Sequence, residues 1–412
     1  MKTYTLPLMT IAVVATLCGL YTMSQFLRNS VGVIAPNLAS EIQLSAAELG
    51  LLSSVYFLVF GLAQIPLGIA LDRFGPKPCL LVSAVIAVAG CVVFALAHSV
   101  TGLVLGRALL GLGTASFLMA PLALYARWFP PAQFSTITGL QLGVGTLGSL
   151  IATAPLAFAT AAVGWRTTFI GIGVITLGFT ALVWLIVRDA GPQTREAEHH
   201  ASLREDFAGL LQVIRTPSIG RLFLLQLTNY PSYLLVIGLW GGPYLTHVYG
   251  FDLAGRGDIL FVAALAQVVG SLFWGPMDRV FGRYKPPVLI AVAGTATSLV
   301  LLAAIGNPPV PLLLVLLAVL GFSTGLSSLV MAQGKTLLPA HLIGRGFTLL
   351  NIGTMGGGFV VQFLSGAVIN LFSAPEGVYP LSAYRLVFAL QAVLILAAAF
   401  AYLGSRDFRL RG

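Results

Sequence analysis

Charge is the scarcest property of this 412-residue chain: Lys, Arg, Asp and Glu make up 8% of it, against 58% hydrophobic residues and a mean hydropathy of +0.95. So little polar surface cannot coat a soluble globule, and the chain belongs in lipid. Cysteine is nearly absent as well. Cys18, Cys79 and Cys91 fall in or at the cytoplasmic ends of apolar runs, where no oxidising compartment supports a disulfide, so they read as small core residues. The apolar runs also lack acids: Glu41, Glu48, Asp72, Asp252, Asp278 and the rest map to loops, helix ends or turns, and His98, His199, His200, His247 and His341 avoid the middle of the runs too. No Ser/His/Asp, Cys/His or metal-ligand cluster stands in the apolar part, so neither an enzyme nor a cofactor or metal is expected. His199 and His200 are adjacent, point apart on a helix and have no cysteine near them. No small-residue cleavage site follows the first apolar run, which reads as a retained helix rather than a signal peptide.

What the chain does have is a series of runs long enough for a bilayer, which takes roughly 20 apolar residues per helix. Twelve can be marked, at about 7–38, 46–71, 78–98, 100–126, 134–161, 166–187, 218–247, 256–277, 286–306, 311–334, 344–371 and 381–404, and they are called spans 1 to 12 below. An outer-membrane barrel would read instead as short alternating segments. The net charge of +9 is a matter of topology, not of nucleic-acid binding. With the N-terminus in the cytoplasm, the basic residues from Lys2, Arg73 and Lys77 to Arg406 fall on one side, and only Arg166, Arg256 and Arg385 fall outside. The expected fold is all-α integral membrane, multi-pass, with both termini cytoplasmic in a bacterial-type inner membrane. The expected partners are lipid and a small-molecule substrate, and the expected state is a monomer.

The turn after span 2, Gly68-Ile69-Ala70-Leu71-Asp72-Arg73-Phe74-Gly75-Pro76-Lys77, has an echo after span 8 in Gly275-Pro276-Met277-Asp278-Arg279-Val280-Phe281-Gly282-Arg283-Tyr284-Lys285. Pro36 with Leu38 at the end of span 1 is matched by Pro243 with Leu245 in span 7, and Pro131-Ala132 by Pro339-Ala340. The chain is therefore read as a duplicated unit: a half at 1–187, a linker at 188–217 and a half at 218–412, twelve transmembrane helices in two six-helix pseudo-symmetric halves with a site where they meet. A Gly-x-x-x-Asp-Arg-x-Gly-x-Lys turn after the second run resembles the signature loop of the major facilitator superfamily. That resemblance implies alternating access, with Asp72, Arg73, Gly75, Asp278, Arg279 and Gly282 as gating residues and Asp72 facing the positive end of span 11.

Candidate binding residues follow from polar faces. Tyr21, Gln25 and Arg28 lie at i, i+4 and i+7 in span 1 and share one face. Arg28 either snorkels to the headgroups or faces a watery cavity, and the depth of Tyr21 and Gln25 favours the cavity. Arg107 in span 4, followed by Gly111 and Gly113, is expected at a similar depth, as a second anion-binding arginine or as a structural one bonding carbonyls. Span 7 adds Asn229, Tyr233 and Trp240. The arginines of spans 1 and 4 resemble the organic-anion and organophosphate branches, which implies a permease for a small carboxylate-bearing metabolite, anionic or zwitterionic. The likeness is incomplete: the anion symporters have acids where Leu27 and Thr114 stand, and the organophosphate exchangers an arginine where Leu235 stands. The alternatives are an exporter of amphipathic or aromatic compounds using Phe57, Tyr233 and Trp240, and a non-transporting sensor. Span 5 lacks the Gly-Pro pair that marks the drug–proton antiporters, and two intact signature turns count against a sensor.

Overall fold

In hydrocarbon a backbone has only itself to bond with, and long apolar runs accordingly become helices. The computed structural model describes residues 8–188, 212–339, 342–372 and 377–407, and no strand occurs among the described residues. Span 1 is Leu8–Asn29 followed by Val31–Ile42, span 2 is Ala46–Phe74, span 3 is Pro76–Leu96, and span 4 is Val100–Thr114 followed by Ser116–Trp128. Span 5 begins as Pro131–Ile151. It continues into a helix, Ala154–Ile186, that turns at Gly164 (φ 80°, ψ 157°), so residues 154–163 complete span 5 and 165–186 form span 6. Span 7 is Ile219–Leu235, a π-helical Val236–Trp240 and Gly241–Tyr249; spans 8 and 9 are Leu253–Trp274 and Lys285–Ile305. Span 10 is Val310–Thr324 with Ser327–Thr336, span 11 is Ile343–Ile369 and span 12 is Leu381–Leu403. Among the described residues eleven helices are long and apolar enough to cross a membrane when Ala154–Ile186 counts once, and dividing it at Gly164, with 154–163 joined to Pro131–Ile151, gives twelve spans. Most of the linker, with His199 and His200, lies outside the described residues.

The described residues form two compact units, one drawn from Met1–Ser30 and Val55–Glu196, the other from Val31–Ser54 and Ala197–Gly412. Within the first, span 3 packs on spans 4 and 6 and span 1 on span 5; within the second, span 9 packs on spans 10 and 12 and span 7 on span 11. These are the same three pairings. A shared device fixes one of them: Arg166 at the start of span 6 donates to the carbonyls of Ala95 and Ala97 at the end of span 3, and Arg385 at the start of span 12 donates to Ala303 and Ala304 at the end of span 9. Helix ends leave carbonyls without partners, and a guanidinium fork satisfies two at once. Outward-facing Phe158, Trp184 and Phe400 are more than half exposed, a surface suited to lipid and to nothing aqueous. All three cysteines are buried and outside any disulfide, and Cys18 donates its thiol to Gln141 Oε1 at 3.1 Å.

Each signature turn ends on a glycine with positive φ. Gly75 (φ 86°, ψ 167°) opens span 3 in a region nearly closed to other residues, whereas Gly282 (φ 60°, ψ 13°) ends a short helix, Met277–Phe281, in the left-handed region. The second turn has one more residue between Asp and Gly, which accommodates that helix. Asp278 accepts the Arg279 N–H at 2.8 Å. Burial, with the Asp278 carboxylate beside it, pushes the Tyr284 phenol up. Asp72 and Arg73 are exposed, and the Arg73 guanidinium lies 5.4 Å from the Phe74 ring.

Inside the second unit, the stretch 31–54 is seated on spans 7, 8 and 11. Gly32 and Gly242 meet backbone to backbone: a Cβ on Gly32 would run into the Ile237 carbonyl, and one on Gly242 into the Gly32 carbonyl. Gly50 and Gly366 form a second such crossing, where a Cβ on either would stand 2.8 Å from the other's Cα. Arg256 donates to Asn37 Oδ1 at 3.0 Å. Glu48, expected to be a solvated helix-start residue, is half-buried and closes a capping box with Ser45: its carboxylate accepts the Ser45 N–H at 2.8 Å and Oγ–H at 2.7 Å, and its own N–H reaches Ser45 Oγ at 3.3 Å. Overpacking a tight contact costs about 1–3 kcal/mol. Gly32→Val should therefore lower the melting temperature of the purified protein by several degrees, whereas Gly171→Ala, at an exposed helical site with nothing within 4 Å, should leave it unchanged or raise it.

Candidate functional site

The polar face of span 1 is buried along its length, with Tyr21 against Gly145, Gln25 against Gly148, and Arg28 only 6% exposed. The first helix then stops at Asn29 and a second starts at Val31. Carbonyls in the last turn of a helix have no N–H of their own to accept. The Leu27 carbonyl is one of these, and it takes the Ser30 hydroxyl at 3.0 Å and Arg107 Nη1 at 2.6 Å. Arg107, fully buried, comes from span 4, which approaches so closely because Gly111 sits under the Tyr56 carbonyl and Gly113 against the backbone of Ser83 and Ala87 in span 3.

Aromatic rings join the two arginines. The Arg107 guanidinium carbon is 4.7 Å from the Tyr56 ring centroid, Tyr56 stacks on Phe60 (6.0 Å, 19°), and the Arg28 guanidinium carbon is 5.0 Å from the Phe60 centroid. Each cation over a ring face is worth about 0.5–2 kcal/mol, towards the upper end where water is excluded. Tyr56 is held in turn by Thr114, hydroxyl to hydroxyl at 2.6 Å, and Gln64 Nε2 reaches the Ala115 carbonyl at 3.4 Å where span 4 is interrupted. The result is a chain of contacts Arg107–Tyr56–Phe60–Arg28 inside the first unit, with each guanidinium against one ring of a stacked pair. Arg107 Nε and Nη2, Gln25 Oε1 and Asn29 Oδ1 are buried and have no hydrogen-bond partner among the described residues. Arg107 is therefore anchored through one nitrogen and keeps donors in reserve.

The span 7 candidates sit in the second unit and are engaged there. Asn229 donates to the Thr324 carbonyl at 3.4 Å and accepts from Thr295 Oγ1 at 3.2 Å. Trp240 donates its indole N–H to Ser365 Oγ at 2.7 Å and packs edge-on to Tyr384. Tyr233 is fully buried and stacks on Tyr230 at 5.9 Å. Gln362 donates to the Leu234 carbonyl at 3.1 Å, just before the π-helical turn. Phe57 is fully buried with its ring edge-on to Tyr56. Sequence reasoning missed Phe60, Ser365 and the Leu27 carbonyl. Phe60 could have been found, since it stands one helical turn after Tyr56 on the same face; the other two carry no local signal. Among the described residues no group of three or more His, Cys, Asp or Glu could hold a metal ion.

A long-helix bundle built from two copies of the same span pairings, each copy with its Asp-Arg signature turn, is the architecture of one class of membrane protein. The chain matches the family model of the Major Facilitator Superfamily over residues 17–257 and again over 222–411, and it belongs to that family. Among curated relatives, a probable sulfoacetate transporter of Cupriavidus necator is 27% identical across 66% of this chain, and the chain spans 65% of that protein's length. The hexuronate transporter of Escherichia coli is 24% identical across 90% of this chain and 89% of its own. Solved structures agree on the fold: a bacterial homologue of the human lysosomal transporter Spinster, inward-facing and unoccupied, superposes with a TM-score of 0.77 at 17% identity over 96% of this chain and 97% of its own, and the nucleoside transporter NupG with 0.77 at 13% over 96% and 98%.

The anchoring of Arg107 has a measurable consequence. Removing it strips the Leu27 carbonyl of its strongest donor, and an unsatisfied buried polar group costs about 1–3 kcal/mol. Arg107→Met should lower the melting temperature clearly in the absence of any ligand. Arg28→Met should lower it less, because the ring-face contact that Arg28 makes with Phe60 is worth about 0.5–2 kcal/mol. Equal losses in the two variants would contradict the assigned division of roles.

Proposed function

We propose that the protein is an alternating-access transporter of a bacterial-type inner membrane, acting as a monomer with both termini in the cytoplasm, and that it carries a small metabolite bearing at least one carboxylate. The observation that carries this reading is the buried Arg28–Phe60–Tyr56–Arg107 chain on the polar face of span 1. A guanidinium presents parallel N–H groups that match a carboxylate, and a dry site strengthens that pairing. Arg28 is the primary ligand in this proposal, with Tyr21 and Gln25 beside it and Arg107 adding charge from behind the rings. Both relatives named above are described as transporters of organic acids, which supports the class. Asn229, Tyr233 and Trp240 have packing roles, on the strength of the contacts they already make. The exporter alternative has less support, since Phe57 and Trp240 are enclosed rather than arrayed on an accessible wall. Asp72, Arg73 and Gly75, with Asp278, Arg279 and Gly282, are proposed to gate the cytoplasmic side.

The test is substitution at Arg28. Thermal-shift or calorimetric titration of purified protein with a panel of small carboxylates should find binding that Arg28→Ala abolishes and Arg28→Lys restores little, because a point charge does not reproduce the fork. Normal binding and uptake by Arg28→Ala would remove the anion site.

Energy coupling can be inferred from what titrates. Proton-driven carriers need a carboxylate or histidine that changes protonation near the site. Glu48 is committed to its capping box. His247 Nδ1 receives the Tyr379 N–H at 3.4 Å and lies 2.7 Å from the Tyr384 hydroxyl, so it acts as an acceptor, and a proton placed there would displace the Tyr379 donor. His98 is exposed, with Nδ1 3.4 Å from Arg166 Nη2. Facilitated diffusion or exchange is therefore the proposed mode. In proteoliposomes, an imposed pH gradient should drive no net accumulation once substrate protonation is corrected for. Uphill uptake that collapses with a protonophore would refute it.

A further inference from the structure

Gln25, Arg28 and Asn29 occupy positions i, i+3 and i+4 on one face of span 1, and at 8%, 6% and 1% exposure all three are buried. Two of them present acceptors that nothing satisfies: Gln25 Oε1 and Asn29 Oδ1 receive no donor among the described residues. The orientation of the Asn29 amide is fixed by chemistry, because its nitrogen donates to the Gln25 carbonyl at 2.9 Å, a bond the amide oxygen could not make. The unmatched atom is therefore an acceptor. Its neighbour Arg28 is a donor only.

A ligand that suits this face must offer an anionic acceptor to Arg28 and, within a few carbons of it, hydrogen-bond donors to Gln25 and Asn29. Two kinds of group could donate. An ammonium would bring a positive charge next to Arg28, and the acids of the chain map to loops, helix ends and turns rather than to mid-span, so nothing there would neutralise it. A second anionic group would face carbonyl oxygens. Hydroxyls meet both demands without adding charge. Building on the carboxylate reading of Arg28 above, we propose that Gln25 Oε1 and Asn29 Oδ1 determine specificity at this site and that its ligand is a hydroxylated monocarboxylate, not an amino acid or a dianion. A site that hydrogen-bonds a substrate hydroxyl discriminates strongly against an analogue lacking it, since the buried acceptors are then left unpaired.

The experiment compares matched acids by calorimetric titration on the full-length purified protein. Gluconate is set against hexanoate and against glucitol, which keeps the hydroxyls and lacks the carboxylate; glycerate is set against propanoate and against serine, which carries an ammonium in place of the 2-hydroxyl. At least one hydroxylated acid should bind about tenfold or more tighter than its counterparts, a difference of about 1.4 kcal/mol. In Gln25→Leu/Asn29→Leu the advantage should shrink to within about threefold while hexanoate or propanoate affinity holds, and in Arg28→Ala all the acids should lose binding. Deoxy or amino counterparts that bind as tightly as the hydroxy acids, through Arg28, overturn this inference and leave the carboxylate site standing; the comparison needs only the wild-type protein, so a misfolded double variant does not protect the claim. Absence of Arg28-dependent binding by any acid overturns both.

Discussion

The carbonyl of Leu27 stands where span 1 stops being one helix, and in hydrocarbon an open carbonyl has no water to turn to. Arg107 closes that position from span 4, and much of the first unit follows from the closure. Span 4 must come near enough to span 1 to deliver a guanidinium, which requires Gly111 and Gly113 on its other sides. The charge delivered must be accommodated, which requires the Tyr56 face. Tyr56 must be held flat, which Thr114 and the stack on Phe60 accomplish, and Phe60 then offers its ring to Arg28.

The same rule governs the other interruptions. Span 4 breaks at Ala115, and Gln64 of span 2 reaches that carbonyl. The π-helical turn of span 7 follows the Leu234 carbonyl, and Gln362 of span 11 donates to it. Span 10 breaks after Thr324, whose carbonyl receives Asn229 of span 7, while Trp274 of span 8 donates to Phe322. The interruption of span 5 is satisfied locally, Thr153 Oγ1 donating to Leu150. Buried amides and indoles that look like ligand-binding groups in a hydropathy plot are thus largely the means by which broken helices are tolerated in lipid. In transporters, broken helices are also where binding sites form and segments move, so donors that make such breaks tolerable can matter beyond stability.

This explains what could be read from the chain and what could not. Span number, the duplication and the glycine turns at Gly75 and Gly282 are matters of length, composition and local backbone geometry, and each is written in consecutive residues. The polar face of Tyr21, Gln25 and Arg28 was legible for the same reason, since helical periodicity alone brings the three together. Whether Arg107 served a ligand or a carbonyl was not legible: that depends on how span 4 is rotated against span 1 and on a break at Ser30 that no proline or glycine marks. The hydrogen bonds of Asn229 and Trp240 were hidden in a similar way, because their partners, Thr295, Thr324 and Ser365, lie 66 to 125 positions away and are ordinary in type. The helix running through Gly164 hides a span boundary from a length criterion, though one glycine with φ 80° marks it plainly in the backbone.

The stacked pair Tyr56–Phe60 bears on how two cations can be kept in an apolar bundle. A charged side chain at mid-bilayer costs about 2.5–3.5 kcal/mol on insertion scales, and two close together repel. A carboxylate would relieve both terms, but it would also cancel the field that the proposed ligand is to feel. Ring faces work differently: each stabilises a cation by about 0.5–2 kcal/mol and leaves its charge intact. Each guanidinium has its own ring of the stacked pair, Arg107 on Tyr56 and Arg28 on Phe60. In the proposed role, a carboxylate reaching Arg28 would meet a guanidinium that already lies against the Phe60 ring face. Ring support of this kind needs no proton to change hands when an anion binds or leaves, which is why it accords with the proposed mode of diffusion or exchange.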